Sequence, residues 1–527
     1  MPAAPKSAYQ NLQDRFAKII DLNNAAAILN KDAETVMPKN SAEDRSRQIM
    51  ALADVTHSLI KDPQVEKWLD AAEQDKQTLS KIDQRNLQLM RRAWVSEAGL
   101  SDELATEIAR IGNEGEKLHT ELRKTGDWSK MKDWYKHSFD ILRTVGEIRK
   151  DKLGTASVYE ALLGSFSPDI ADATVAHEFA ALEKALPGLI REAVDLQKKG
   201  PQPLPLKGPF PVDQQAELSR RLTEAMGFDF TRGKMFAIDA HPSTGGSASD
   251  VRFTTDASDE NSFLSAVYST VHEAGHALYE QGTPLARRYQ PVGASMGMAV
   301  HESQSGIMER NAAHEPEFFQ FLEKQAREVF NRPNDPALSA ANLQLLANQV
   351  NPSFIRIEAD ELTYPAHILL RYKLEKELIE NKLAIDDLPK AWNDGMTKLL
   401  GITPPDNSKG CMQDVHWPTG AIGYFPAYAL GNMIAAQLYA AATKAHPEIP
   451  KELASGNFKP LRDWLKDNIH SKGSELTTDE LLTAATGEKL NAKYYLEHLS
   501  RRYTGKPYAP ANTANLNVRP KTKKPGT

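Results

Sequence analysis

Cysteine is almost absent from the 527-residue chain, in which Cys411 is the single example. An internal disulfide is therefore excluded, and the fold has to rest on its hydrophobic core. An excess of basic charge is missing as well, since 64 Lys and Arg residues face 70 Asp and Glu residues, for a net charge of -6. This balance argues against nucleic acid or an anionic membrane as the main partner.

Long apolar stretches are also missing. No run is long enough to span a membrane, and residues 1–16 contain no apolar segment like that of a secretory signal peptide. We therefore expect a cytoplasmic protein without a membrane partner. Aromatic residues make up 7% of the chain and charged residues 25%, which is typical of a helix-rich globular protein.

Hydrophobic residues recur at helical spacing through most of the chain and predict a mainly α fold. A proline-rich stretch at 200–211 follows the first group of predicted helices, and we expect it to cross the surface of one domain rather than to separate two. That single domain is expected at 1–505. Within it we expect an N-terminal helical part at about 7–200, a core at about 230–432 and C-terminal helices at about 433–505. A disordered tail is expected at 506–527.

Strand character is confined to one short region in the middle of the chain. Lys234–Pro242 and Ser249–Thr255 are rich in β-branched and aromatic residues, and Ser243–Ala248 between them has the composition of a turn. The pattern predicts a hairpin. A sheet edge at this point can take an extended peptide by β-augmentation.

The helix predicted next, from about residue 261 to Gly282, carries the strongest chemical signal, His272-Glu-Ala-Gly-His276. Residues i and i+4 share one face of an α-helix, so the two imidazoles can point at a single metal ion. Glu273 projects beside them and can hold a water activated by that metal. The alternative is a chance spacing of two histidines, which the amphipathic character of the helix disfavours.

A catalytic zinc site has three protein ligands and an open position. Glu280 and Glu302 are the candidates for the third ligand. Glu280 lies one turn beyond His276 and is displaced along the helix axis, whereas Glu302 belongs to a second predicted helix that can face the first. From the residues alone, a surface carboxylate is an equally good reading of Glu302. Glu309, on the same face as Glu302, can orient a ligand histidine.

Five separated motifs resemble those of the carboxypeptidase Taq family of metallocarboxypeptidases and occur in the family's order. The resemblance spans roughly residues 8–505 and extends to Gly423–Asn432 and to about 464–496. The motifs are His241-Pro242, Asp250-Val-Arg252-Phe-Thr254, His272-Glu-Ala-Gly-His276 with His301-Glu302-Ser303-Gln304, Ile355-Arg356-Ile-Glu-Ala359-Asp360, and Gly410-Cys-Met-Gln413-Asp414-Val-His416-Trp417.

The resemblance implies a large helical metallopeptidase of the zincin type, with a small β-sheet beside a deep active-site groove, that forms a homodimer. It also implies one metal ion per chain, zinc or cobalt. Matched motif by motif, His272, His276 and Glu302 are the implied ligands, and Glu273 is the implied general base.

Three parts of the chain depart from the family pattern. Residues 30–38 lack the tryptophan that is usual before the aspartate, and Ser243 stands where phenylalanine is usual. Gly306 and the stretch Asn311–Pro316 also differ from the usual pattern after Glu302. None of these departures falls on an implied ligand, so they concern substrate preference and local packing.

Other motif residues have the chemistry needed to hold a peptide. A carboxypeptidase must neutralise the substrate's terminal carboxylate, and a guanidinium does this bidentately, which makes Arg356 and Arg252 candidates. His416 and Tyr424 are candidates for donating a hydrogen bond to the oxyanion, and His241 is a weaker candidate for contacting the substrate. Each has a structural alternative: an ion pair within its own helix for Arg356, a tie between neighbouring strands for Arg252, and simple burial for the rings.

Taken together, these residues predict a metal-dependent carboxypeptidase that removes single residues from the C-terminus of peptides. An endo-oligopeptidase or aminopeptidase would share the chemistry, but the Gly-x-Met-Glu-Asn stretch of many aminopeptidases is missing. A helical binding protein with an inert metal site is the alternative from another class. Glu273 argues against it, because a structural metal site has no use for that carboxylate.

Overall fold

Helices account for most of the computed structural model, which describes residues 6–239 and 241–509. The part of the expected tail from residue 510 onward lies outside the described residues. Before the sheet the helices are α1 (Ala8–Thr35), α2 (Ala42–Lys61), α3 (Pro63–Gln74), α4 (Lys81–Glu97), α5 (Asp102–Leu122), α6 (Trp128–Leu153), α7 (Val158–Leu163), α8 (Asp172–Lys199) and α9 (Val212–Met226).

The first four helices pack around a small hydrophobic core of their own, which includes Leu12, Phe16, Leu69 and Met90. The main core begins at Leu100 and extends to the C-terminal helices. The proline-rich stretch at 200–211 runs along this main core. Its Leu204 exchanges backbone hydrogen bonds of 2.7 and 3.0 Å with the Asn342 side chain, and Phe210 is fully buried.

The sheet has three strands, β1 (Gly233–Ile238), β2 (Ser243–Ser247) and β3 (Asp250–Asp256), in the order β1-β3-β2. The predicted hairpin is wrong in its pairing. β1 runs parallel to β3, and the stretch expected to be a turn is itself a strand, antiparallel to β3 with Ser243 opposite Thr254. The sequence of β2 is Ser-Thr-Gly-Gly-Ser, which side-chain propensity does not predict to be a strand. Backbone hydrogen bonds to β3 hold it in the sheet.

The helix with the paired histidines is α10 (Leu264–Gly282), which starts about three residues later than expected because Asp259–Ser262 form a turn. The helices that follow are α11 (Met298–Gly306), α12 (Pro316–Val329), α13 (Ala340–Ala347), α14 (Tyr364–Ile379), α15 (Leu388–Leu400), α16 (Phe425–Ala445), α17 (Ile449–Leu453), α18 (Lys459–Asn468), α19 (Thr478–Thr486) and α20 (Lys493–Thr504). Among the helices of the described residues, none is both long and apolar enough to cross a membrane.

Two glycines bring three helices unusually close together. A Cβ on Gly275 of α10 would lie 2.6 Å from the backbone oxygen of Gln304 in α11. A Cβ on Gly431 of α16 would lie 2.6 Å from the Cβ of Glu302. Since no larger side chain fits at either contact, these glycines set how near Glu302 comes to the histidines of α10.

Candidate active site

The three side chains expected to bind a metal converge in the structure. His272, His276 and Glu302 each offer one ligand atom, and these atoms lie within 4.8 Å of one another. One carboxylate oxygen of Glu302 is 3.8 Å from Nε2 of both histidines. α10 supplies both imidazoles from one face, and α11 supplies the carboxylate from the facing side. The spacing and the N, N, O donor set fit a single divalent cation.

Glu309 contacts the second ring nitrogen of one of these histidines, His272. Its Oε2 lies 2.8 Å from Nδ1 of His272, which leaves Nε2 pointing toward Glu302. A carboxylate that accepts the outer N–H of a ligand histidine fixes the ring and makes it a better donor.

The electrostatics of the cluster also favour a cation. Burial acts to lower the pKa of His272, but Glu309, Glu273 and Glu302 outweigh it and raise that pKa to about 9. Three carboxylates around two imidazoles thus concentrate negative charge at one point. A divalent metal offsets this charge more completely than a single proton does.

Glu280, the other candidate ligand, is engaged elsewhere. One of its oxygens accepts hydrogen bonds from the Ser295 hydroxyl at 2.7 Å and from Nε2 of His301 at 2.9 Å. His301 in turn stacks on His276, with ring centroids 4.5 Å apart. Glu280 therefore supports the ring beside the metal donors and lies outside the donor cluster.

Glu273 is buried next to the donors and is held by the sheet. The hydroxyl of Thr244 in β2 donates a 2.6 Å hydrogen bond to Oε2 of Glu273, and its Oε1 lies 4.0 Å from Nε2 of His272. Burial raises the pKa of Glu273 above the usual value for a glutamate. A carboxylate with a raised pKa beside a metal site is a stronger base than one in water.

These groups line a cavity of about 1130 Å³, enough room for several residues of a peptide. Four of the candidates for binding the substrate or the oxyanion also line this cavity: His241, Arg356, His416 and Tyr424. Arg252 is not among the lining residues. Its guanidinium pairs with Asp250 two residues back on β3, at 2.8 and 2.9 Å.

Arg356 lies in a short 3₁₀ turn between helices, not in the helix that an ion pair with Asp360 would require. Its Nε donates to Oδ1 of Asp414 at 2.9 Å, and one terminal nitrogen donates to the Tyr364 hydroxyl at 3.0 Å. Its backbone N–H donates to the Gln413 side chain. The guanidinium is thus fixed by the Gln413-Asp414 motif at the wall of the cavity.

His416 and Tyr424 are neighbours in the same wall, with ring centroids 5.4 Å apart. Burial lowers the pKa of His416 to about 4 and raises that of Tyr424 to about 12. Both side chains are therefore uncharged near neutral pH and each has a proton to donate in a hydrogen bond.

Thr244, Arg310 and Tyr428 also line the cavity, and the sequence assigned no role to them. Thr244 belongs to the stretch interpreted as a turn, Arg310 follows Glu309 outside the motifs, and Tyr428 packs on Tyr424 with ring centroids 5.1 Å apart. Of the three, Tyr428 lies within Gly423–Asn432, a stretch that carries the family resemblance. The strand pairing of β2 and the turn after α11 bring the other two to the site.

An N, N, O donor set beside a buried carboxylate, at the wall of a deep groove, is the arrangement of a hydrolytic metal centre. The family model described as carboxypeptidase Taq (M32) metallopeptidase matches residues 11–503. The chain belongs to this family. It is a metal-dependent peptidase that hydrolyses peptides at their C-terminus.

Similar proteins agree over nearly the whole chain. Thermostable carboxypeptidase 1 of Thermus thermophilus is 33% identical over 508 residues, which are 95% of this chain and 99% of that protein. Carboxypeptidase 1 of Bacillus subtilis is 30% identical, over 93% of this chain and 97% of that protein. The solved structure of Trypanosoma cruzi metallocarboxypeptidase 1 has a TM-score of 0.91 and 33% identity, and covers 94% of this chain and 99% of that one.

Proposed function

We propose that the protein removes single residues from peptide C-termini with one zinc or cobalt ion held by His272, His276 and Glu302. The observation that carries this proposal is the convergence of the three donors beside the buried Glu273. When bound, the metal polarises the scissile carbonyl and lowers the pKa of the attacking water to about 7.

Glu273 acts as the general base. It takes the proton of the attacking water and passes it to the leaving amine. Its raised pKa suits both steps, because the group must accept a proton and then release it. The hydrogen bond from Thr244 fixes one oxygen and keeps the other turned toward the metal donors.

Arg356 binds the terminal carboxylate of the substrate. It is a buried guanidinium at the cavity wall, and Asp414 and Tyr364 hold it in one orientation. A pre-oriented guanidinium loses little entropy when it binds a carboxylate. Arg252 has contacts that tie it to β3, so it is the weaker of the two candidates.

His416 and Tyr424 donate hydrogen bonds to the oxyanion that forms at the scissile carbonyl. Both are neutral donors in the wall of the cavity. His241 borders the same cavity together with Ser243 and Thr244 of β2, which is an edge strand of the three-stranded sheet. A peptide backbone can pair along that edge, with His241 contacting it.

The experiment is mass spectrometry of an unblocked peptide incubated with the metal-loaded protein. We expect a ladder that shortens one residue at a time from the C-terminus, and no ladder with Glu273→Gln. Shortening from the N-terminus or internal cuts would contradict the proposal, as would a full ladder from the Glu273→Gln protein.

We further propose a cytoplasmic homodimer. The resemblance to the family supports the dimer. Light scattering on a sizing column gives the mass directly. A single species near 117 kDa, twice the chain mass of 58.4 kDa, supports the dimer, and a species near the chain mass refutes it.

A further inference from the structure

Lys31, near the end of α1, is a buried lysine whose ammonium group has three acceptors around it. Its side chain is 5% exposed. Nζ donates hydrogen bonds to the backbone oxygen of Ser243 at 2.9 Å and to the Ser243 hydroxyl, and it pairs with Oε2 of Glu34 at 2.7 Å. The Ser243 hydroxyl donates to the same oxygen of Glu34 at 3.0 Å. A buried ammonium with all three protons engaged is held in one position and fixes the groups that it bonds.

The contact between Lys31 and Ser243 joins two parts of the chain that are 212 residues apart. Lys31 belongs to the N-terminal helices, which pack around a hydrophobic core of their own. Ser243 is the first residue of β2 and lines the active-site cavity. Both residues fall in parts of the chain that depart from the family pattern, so the resemblance does not predict this pair.

β2 lies between Lys31 and the proposed general base. Side chains alternate between the two faces of a strand. Ser243 and Gly245 face α1, and a Cβ on Gly245 would lie 3.2 Å from Cε of Lys31. Thr244, between them, faces α10 and donates its 2.6 Å hydrogen bond to Oε2 of Glu273. The stem of Lys31 therefore packs on one face of the strand, while the other face orients Glu273.

The sequence of β2 does little to hold the strand in place. The strand has five residues, and the adjacent Gly245 and Gly246 lose much conformational freedom when they are ordered. Of the strands in the described part of the chain, β3 is the one that pairs with β2. A small shift of β2 would lengthen the hydrogen bond from Thr244 to Glu273. The contacts from α1 oppose such a shift.

We infer that Lys31 is a positioning residue for catalysis, which fixes β2 from α1 and thereby keeps Thr244 in place to orient Glu273. This inference rests on the proposed function, because it takes Glu273 as the general base. Lys31 is not among the residues that line the cavity, so it acts through the strand and not on the substrate. The N-terminal helices thus contribute to turnover as well as to stability.

The test compares the steady-state kinetics and metal content of the wild type and Lys31→Met on a peptide with a free C-terminus. Methionine keeps most of the apolar stem and removes the ammonium, and the half-exposed Glu34 can then be hydrated, so we expect the fold to persist. We expect kcat to fall by about 10- to 100-fold, as when a catalytic group is misplaced, while KM and metal content stay near their wild-type values. The control, Lys18→Met at an exposed position of α1, should change none of these quantities.

A double-mutant cycle with Thr244 tests the route by which Lys31 acts. Thr244→Val removes the hydroxyl that holds Glu273 and keeps the shape of the side chain. Because Lys31 acts through that hydroxyl, Lys31→Met should lower kcat far less in the Thr244→Val background than in the wild type. Ser243→Ala removes one of the two contacts of Ser243 with Lys31, so it should lower kcat less than Lys31→Met does, with the same dependence on Thr244.

A folded Lys31→Met protein with wild-type kcat and reduced thermal stability would overturn the inference, since the pair would then only tie α1 to the sheet. A raised KM at unchanged kcat, a loss of metal, or effects that add in the double variant would overturn it as well. If Lys31→Met does not fold, the cycle of Ser243→Ala with Thr244→Val decides in the same way. Failure of the proposed function is distinct, because then the wild type itself does not shorten the peptide from its C-terminus.

Discussion

Asp414 accepts a 2.9 Å hydrogen bond from Nε of Arg356, and its other oxygen accepts one of 2.7 Å from Nε of Arg371. Burial acts to raise the pKa of Asp414, but Arg371 and Arg356 outweigh it and hold that pKa far below the usual range. The carboxylate is therefore ionised at any pH at which the protein works. A fixed anion thus orients the cation that we propose as the substrate anchor.

We predict that Asp414→Asn raises KM for free-acid peptides by at least about 10-fold, because Arg356 loses a charged partner and with it a fixed orientation. The effect on kcat should be smaller, since Asp414 does not belong to the metal donors or the base. Steady-state kinetics measure the two constants. The control is Asp386→Asn, which removes an exposed carboxylate paired with Lys132. An Asp414→Asn protein that is folded and keeps the wild-type KM would contradict the role.

Glu273→Gln keeps the size of the side chain and its hydrogen bond from Thr244 but removes the base. We predict that the metal stays bound, because Glu273 is not one of the three converging donors. kcat should fall by about 10²- to 10⁴-fold, the usual contribution of a positioned base. Metal analysis and turnover are measured on the same sample. Near-normal turnover by Glu273→Gln with bound metal would contradict the role of Glu273 as the general base.

The third ligand can be tested with two variants of similar burial. Glu302→Ala should lose metal affinity and activity together, and added zinc or cobalt should restore little, because the cation keeps only two ligands. Glu280→Ala should retain its metal, since Glu280 bonds His301 and Ser295 instead. Metal content after dialysis separates the two. The reverse pattern would move the ligand assignment to Glu280.

Glu375, which is not one of the three metal donors, is expected to make the stability of the protein depend on pH. It is fully buried between Tyr159 and Trp417, and burial raises its pKa from 4.5 to about 7 even though both neighbours donate hydrogen bonds to it. Between these two values the folded protein holds a proton that the unfolded chain has released. Stability therefore falls as pH rises through that window and levels off above it.

We expect Glu375→Gln to remove this dependence. Relative to wild type, the free energy of unfolding of the variant should improve by on the order of 3 kcal/mol between pH 5 and pH 8, whatever its absolute value. Urea unfolding at the two pH values gives the comparison. Parallel profiles for the two proteins would show that Glu375 titrates as an ordinary glutamate.

The local features of the site could be predicted from the sequence. The i, i+4 spacing on a helix places His272 and His276 together whatever the rest of the fold does. The prediction that Glu302 is a ligand needed the family resemblance as well, because nothing within its own helix distinguishes a ligand from a surface carboxylate. The close approach that brings it to the histidines depends on Gly275 and Gly431, which are far apart in the chain.

The features of the site that depend on contacts between distant parts of the chain could not be predicted from the sequence. Thr244 reaches Glu273 only because a Gly-Gly stretch forms the outer strand of the sheet. Arg356 and Arg252 are both candidate anchors in sequence, with Arg356 the stronger of the two, and the contacts that distinguish them in the structure are those with Asp414 and Asp250. Side-chain chemistry identifies the cations, whereas the tertiary contacts decide which one faces the groove.

Recognition of a free C-terminal carboxylate is tested most directly by the cleavage rate of one peptide as its free acid and as its C-terminal amide. Loss of a charge-assisted contact in a groove with restricted water costs on the order of 2–5 kcal/mol. We predict that amidation abolishes cleavage by the wild type, that N-terminal acetylation leaves it almost unchanged, and that Arg356→Ala slows the acid peptide far more than the amide. An acid preference that survives Arg356→Ala would move the anchor to another cation such as Arg252. Equal wild-type rates on the acid and the amide would contradict the carboxypeptidase account.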